Sequence, residues 1–174
     1  MRTARVFLFG IFAVLMLQSA FCRFPYSLSG GRSELSDTVT VSVMTFTNSA
    51  PLAKATITQT MTEALKDAIQ RQTRMQMIPK NGDLNFEGNI TGYAVTPVAV
   101  QAGGGNTSTM NRLTITVNVK YTDNVKEEYS FDSNFSRFAD FSTSQNLSTV
   151  EDALIKDISD QITQDIMNKS INAW

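Results

Sequence analysis

The sequence predicts a two-layer α/β (α+β) sandwich in the order β-α-β-β-β-α, with two helices packed on one face of a mixed sheet of about four strands. Three observations carry that expectation. From Arg112 to Tyr121 the chain alternates strictly, with Leu113, Ile115, Val117, Val119 and Tyr121 on one parity and Thr114, Thr116, Asn118 and Lys120 on the other. The flanking segments repeat the pattern, with Leu84, Phe86, Ile90 and Ala94 before it and Tyr129, Phe131 and Phe135 after it. Residues 54–73 and 148–170 carry the helical period instead. Strands with one apolar face need an apolar layer on that face alone, and two amphipathic helices supply it.

Residues 1–22 read as a targeting segment. Arg2 and Arg5 precede an apolar run over 6–17, the length of a signal-peptide core and well short of the roughly 20 residues of a membrane span. Cys22 ends the segment and resembles the cysteine of a bacterial lipobox, which becomes a lipid-bearing amino terminus. Phe21 departs from that pattern, where a small residue is expected. Two outcomes fit: lipid at Cys22, or ordinary cleavage that leaves Cys22 a free thiol or removes it. Residues 23–36, with Pro25, Gly30, Gly31 and several serines, suit an irregular tether. Residues 37–174 form a single domain.

The domain's first strand covers 38–47. Val39, Val41 and Val43 share one parity, then Met44 and Phe46 take the other, which predicts a bulge or burial on both sides. In the first helix Ile57, Met61, Ala64, Leu65, Ala68 and Ile69 form the apolar stripe, while Glu63 and Asp67 belong to a solvated face. Met75, Met77 and Ile78 extend that helix, and Pro79, Lys80, Asn81 and Gly82 turn the chain. Gly88 and Gly92 within the next strand suggest a bulge or the close approach of a neighbour, and Pro97 suits an edge or a bend. Residues 101–111 read as a mobile hairpin connection. Their three glycines lack the Lys-Ser/Thr and the following helix of a phosphate loop. A tighter turn follows at 122–126, and Ser148 with Glu151 forms a capping box for the last helix, whose stripe is Val150, Leu154, Ile158, Ile162 and Ile166.

Composition narrows function by exclusion. A formal net charge of −1 gives no reason to expect nucleic acid. With no histidine and one cysteine, the chain has no Ser-His or Cys-His nucleophile, no histidine metal site and no internal disulfide. No cofactor or metal is expected. Glu87, Asp123 and Asp140 have no mutual spacing that binds them into a catalytic site, so no enzyme activity is expected.

The segments NSAPLAKATITQTMTEALKD (48–67), NGDLNFEGNITGYAVTPVAV (81–100), NRLTITVNVKY (111–121), FSRFADF (135–141) and QNLSTVEDALIKDISDQITQDIMNKSINAW (145–174) together resemble the Bacteroidetes form of LptE, a lipopolysaccharide-assembly lipoprotein family. The resemblance implies an outer-membrane lipoprotein on the periplasmic side, anchored by lipid at Cys22. It implies a plug and assembly partner inside the β-barrel LptD, with direct binding of lipopolysaccharide during its transport to the cell surface. Phosphates on that ligand call for Lys or Arg. Arg112 and Lys120, on the polar parity of the central strand, are the candidate lipopolysaccharide-binding residues; solubility and barrel-wall contact are the competing roles. Arg137, on the apolar parity, is expected to turn out to solvent. The rival reading is a free periplasmic or surface lipoprotein that works as a binding or adhesion module with no barrel partner.

Overall fold

Among the described residues, six strands and two α-helices build the domain: β1 (Thr40–Val43), β2 (Thr47–Asn48), α1 (Ile57–Gln72), β3 (Gln76–Met77), β4 (Leu84–Ala102), β5 (Asn106–Asp123), β6 (Phe131–Ser142) and α2 (Leu147–Ser170). The computed structural model describes residues 39–102 and 106–171, so the expected signal, Cys22 and the tether of 23–36 lie outside the described residues. The sheet order is β3-β1-β4-β5-β6, with β2 also paired to β4. β1 runs parallel to both β3 and β4, whereas β4, β5 and β6 form an antiparallel meander.

The sheet thus has six strands where about four were expected. Both additions are two residues long, and an alternation needs more residues than that to show. β3 replaces the expected extension of α1: the helix ends at Gln72, Thr73 is extended, and Gln76 and Met77 pair with Thr40 and Val41. β2 arises because Val43 pairs with Phe86 and Thr47 with Asn89, so four steps on one strand match three on its neighbour. That one-residue excess is a bulge at Met44–Phe46, and it explains the parity switch. Met44 turns outward, 39% exposed, and Phe46 turns inward, 2% exposed. The Phe46 N–H donates to Thr62 Oγ1 of α1 at 3.0 Å, and that hydroxyl donates in turn to the Thr58 carbonyl at 2.6 Å. Gly88 lies under the Phe46 ring; a Cβ there would sit 2.2 Å from ring atom Cε1.

A second bulge follows in β4, where the register shifts between Ile90 and Gly92. It reverses the parity of the strand. Tyr93 opposite Ile115 and Val95 opposite Leu113 therefore fall on the helix side, and Ala94, expected on the apolar parity, falls on the open face opposite Thr114. One core unites the layers. Val41, Leu84, Phe86, Ile90, Ile115 and Val117 of the sheet pack with Ile57, Met61 and Leu65 of α1 and with Ile155, Ile158, Ile162 and Ile166 of α2. Phe86, Tyr121, Phe131 and Phe135 add a run of tilted and edge-on rings, with centroids 4.8, 5.3 and 6.2 Å apart.

The hairpin is longer than its sequence suggested. Residues 101–102 and 106–111, read above as a mobile connection, continue the ladder as far as Ala102 opposite Asn106, and the three glycines are residues 103–105, outside the described residues. β6 stops opposite Met110 and β2 stops opposite Ile90, so beyond Val98 and Met110 the two strands run on as a ribbon. Tyr129 is not in β6 but in a short 3-10 turn over Glu127–Tyr129. Asp123 makes the turn before it by accepting from the N–H groups of Val125 and Lys126 at 2.9 and 2.8 Å. The cap of α2 also differs from expectation. Asn146, not Ser148, is the N-cap, its Oδ1 accepting from the Ser148 N–H at 3.2 Å. Glu151 is drawn instead to the Tyr93 hydroxyl, which donates to it at 2.7 Å.

Candidate functional site

Because both helices take the apolar parity, the opposite parity of β4, β5 and β6 forms an open face mostly of hydroxyls, amides and charges, with Phe138 exposed opposite Thr114. Its register sets side chains in rows across the strands. Thr116 lies beside Ser136, Asn118 between Asn89 and Asn134, and Lys120 between Glu87 and Asp132. Side chains directly opposite on neighbouring strands lie about 5 Å apart at Cβ, so each row is a contact set.

Arg112 and Lys120 do share this face, as their parity required, but the fold does not bring them together. Eight residues of strand separate them by about 27 Å. Their surroundings also differ. The Arg112 guanidinium is clamped by Asp140, with Nε to Oδ1 at 2.7 Å and Nη2 to Oδ2 at 2.9 Å, and it stacks on the Phe138 ring 3.6 Å from the centroid. The hydrogen bond and nearby charge of Arg112 hold the Asp140 carboxyl below its ordinary range. Arg112 is thus a fixed, neutralised cation. Lys120 is exposed and makes no hydrogen bond or ion pair among the described residues, yet a carboxylate lies on each side of it.

Arg137 is exposed, as expected, and it also makes an ion pair that its sequence did not show. Its parity keeps it on the helix side, where it forms a two-pronged pair with Asp165 of α2, both contacts at 2.6 Å. Lys169 likewise reaches Ser133 Oγ at 2.6 Å and lies over the Phe131 ring. Those two cations fasten α2 to β6.

The bulge at Met44 opens a hollow of about 300 Å³ on the open face, whose lining includes Met44, Glu87, Asn89, Asn118, Lys120 and Asp132. Sequence reasoning picked out only Lys120 here. Asn89 and Asn118 carried no signal in one strand, because only the register of three strands places them side by side. Their amides are held by the fold. The hydroxyls of Thr47 and Ser49 each donate to Asn89 Oδ1 at 3.0 Å. Asn118 Nδ2 donates to Asp132 Oδ1 at 2.7 Å and to Asn134 Oδ1 at 3.2 Å.

The acids weighed for catalysis are scattered. Glu87 lines the hollow, Asp140 holds Arg112, and Asp123 is buried in its turn. Glu63 accepts from Gln59 at 2.8 Å and Asp67 faces Arg71 at 3.8 Å, both on the exposed side of α1. Among the described residues no group of three or more His, Cys, Asp or Glu could hold a metal ion, and no helix is long and apolar enough to cross a membrane.

A family model described as "LptE: Lipopolysaccharide-assembly" matches residues 38–170, the whole span of the sheet and both helices. No curated protein matches the chain in sequence. Comparison with solved structures finds similarity at low identity. Protein XCC0632 from Xanthomonas campestris is 10% identical, with 74% of this chain and 81% of that one covered and a TM-score of 0.51. The minor lipoprotein from Acinetobacter baumannii is 15% identical, covering 75% and 91%, with a TM-score of 0.46. The rare lipoprotein B from Shewanella oneidensis is 13% identical, covering 74% and 91%, with a TM-score of 0.46.

Proposed function

The chain belongs to the LptE family of lipopolysaccharide-assembly proteins, and from that premise we propose that it is a non-catalytic outer-membrane lipoprotein working as plug and assembly partner of an LptD-type β-barrel. In this reading Cys22 carries the lipid and holds the domain on the periplasmic side of the outer membrane. The domain contacts lipopolysaccharide as it passes to the cell surface. The family match over residues 38–170 is the observation that carries the proposal. The open face supports it physically. A wide outer-membrane barrel has a polar lumen, and a sheet face of Thr114, Thr116, Asn118 and Ser136 offers such a wall mostly polar groups; Phe138, exposed opposite Thr114, is covered on one side of its ring by the Arg112 guanidinium. A lipid anchor would raise the local concentration of the domain at the barrel mouth before the two associate.

The test is extraction of the tagged protein from its native membrane in mild detergent. A barrel-sized protein that co-purifies with it supports the plug. A lone monomer would instead favour a free lipoprotein module. Intact mass of the extracted protein reads the state of Cys22, since a diacylglycerol thioether adds a mass that ordinary cleavage does not.

A further inference from the structure

We propose that the hollow beside the Met44 bulge is a saccharide pocket, built to engage the hydroxyls of an uncharged sugar rather than a phosphate. The inference deepens the lipopolysaccharide part of the proposed function and rests on it only for the source of the sugar.

The argument starts from which polar atoms remain uncommitted. Only the amide nitrogen of Asn118 can donate to the Asp132 carboxylate, and its second hydrogen goes to Asn134. Asn118 Oδ1 therefore remains as a fixed acceptor. Asn89 is oriented the other way round: its oxygen takes two hydroxyls, and its N–H pair remains as a fixed donor. The neighbouring row adds Glu87 as acceptor, the Lys120 ammonium as donor and Asp132 with its second oxygen free. Donors and acceptors thus stand in alternation across three adjacent strands. A sugar hydroxyl both donates and accepts, and vicinal hydroxyls match such an alternation in a way a simple anion or cation does not. Met44, turned outward by the bulge, supplies the apolar wall against which the C–H face of a sugar ring can lie.

Charge decides against phosphate. Any anion brought to Lys120 meets Glu87 on one side and Asp132 on the other, so its row carries one positive and two negative groups. The other cation of this face, Arg112, is already occupied by Asp140. The volume of about 300 Å³ lies at the small end of ligand pockets and suits a single sugar ring with its waters.

The test uses the 15N-labelled protein and follows the side-chain amide resonances of Asn89 and Asn118. Three probes are titrated: core oligosaccharide released from lipopolysaccharide and dephosphorylated, chitobiose, and inorganic phosphate. The expected result is a saturable shift of both amides with the core oligosaccharide and none with phosphate, and an affinity about fivefold weaker in Asn118→Ala, as for one lost hydrogen bond. Glu87→Gln, which keeps the shape of the site, serves as the second variant should Asn118→Ala lose its dispersed spectrum. It is expected to weaken the sugar several-fold. Shifts with chitobiose alone would keep the pocket and remove lipopolysaccharide as its source. Capture of intact lipopolysaccharide by a protein whose Asn89 and Asn118 amides ignore both sugars would overturn the pocket and leave the proposed function standing. Phosphate moving these amides as strongly as sugar would also overturn it.

Discussion

Alanine at Gly88 would place its Cβ 2.2 Å from Phe46 Cε1, 2.3 Å from Cδ1 and 2.6 Å from Cζ, well inside any carbon–carbon contact. The ring has little room to retreat. Phe46 is 2% exposed, and its N–H is tied to Thr62 Oγ1 of α1 at 3.0 Å. Overpacking of this kind costs about 1–3 kcal/mol, so Gly88→Ala is expected to lose about 2 kcal/mol of unfolding free energy. Phe46→Ala alone empties a large buried site and should cost about 3–5 kcal/mol. The double variant separates a clash from a general dislike of alanine at this point. Without the ring, the added methyl meets no ring atoms, and alanine is better than glycine in a strand interior by roughly 0.5–1 kcal/mol. Gly88→Ala should therefore change sign in the Phe46→Ala background, giving a coupling of about 2.5 kcal/mol. Urea unfolding of the four proteins measures it, provided the slopes agree. Additivity within about 0.5 kcal/mol would refute the account of the bulge and of the hollow it opens.

Four further expectations follow from the same contacts. Tyr93→Phe removes the hydroxyl donated to Glu151 and should cost about 1 kcal/mol in urea unfolding. Burial and that bond hold the Tyr93 phenol above its ordinary 10.0, so its contribution is complete below pH 10 and drains away as pH rises further; Tyr93→Phe should flatten that alkaline limb. On the acid side, Thr40 hydrogen bonds lower the Asp83 carboxyl and Arg112 lowers Asp140, so their stabilisation is present above the unfolded value of 3.8 and is lost as pH falls below it. Replacing both with Asn should make the acid unfolding limb shallower. If the barrel partnership holds, photo-crosslinkers at Thr96 on the open face and Thr109 on the ribbon should capture a barrel-sized protein, and crosslinkers at Gln59 and Asp160 on the helix faces should not; equal capture from all four would count against docking through the sheet side.

The sequence displayed what periodicity can display. The alternation of β5 placed Leu113 to Tyr121 on the core side without error, and all five residues are buried. The parity switch at Met44 and the two glycines pointed at bulges, and both bulges are there. Shorter or relational features were not legible. β2 and β3 are too short to alternate, and each forms because a neighbouring strand offers free backbone groups. Ala94 was put on the wrong face because a one-residue bulge at Thr91 inverts everything beyond it; Gly92 hinted at a bulge, but only the paired register shows that the strand's parity flips there. The capping box at Ser148 lost to Asn146 because Glu151 found a better partner in Tyr93, which lies 58 residues away. The same limit applies to the site. Lys120 could be named from one strand, but its two carboxylate neighbours come from β4 and β6, and they change what it can bind.

The distribution of cations over the fold gives the functional reading its direction. Arg137 and Lys169 fasten α2 to β6, and Arg112 is held by Asp140. Each is engaged by the domain's own structure. The open face is therefore close to neutral and rich in groups that donate and accept at once, which favours broad polar contact over electrostatic capture. Its layout is also directional. The chain enters β1 at Thr40, where β1 lies beside the start of β4, and α2 ends near Ser133, so both ends of the domain lie at the Leu84 end of the sheet. The ribbon of β4 and β5 runs the other way, over a strand of 19 residues and about 65 Å. The ribbon is therefore the part of the sheet farthest from Thr40, where the described chain enters it. The hollow at Asn89 and Asn118 lies between the Leu84 end of the sheet and the ribbon, on the open face, so the polar contacts of that face extend to both sides of it.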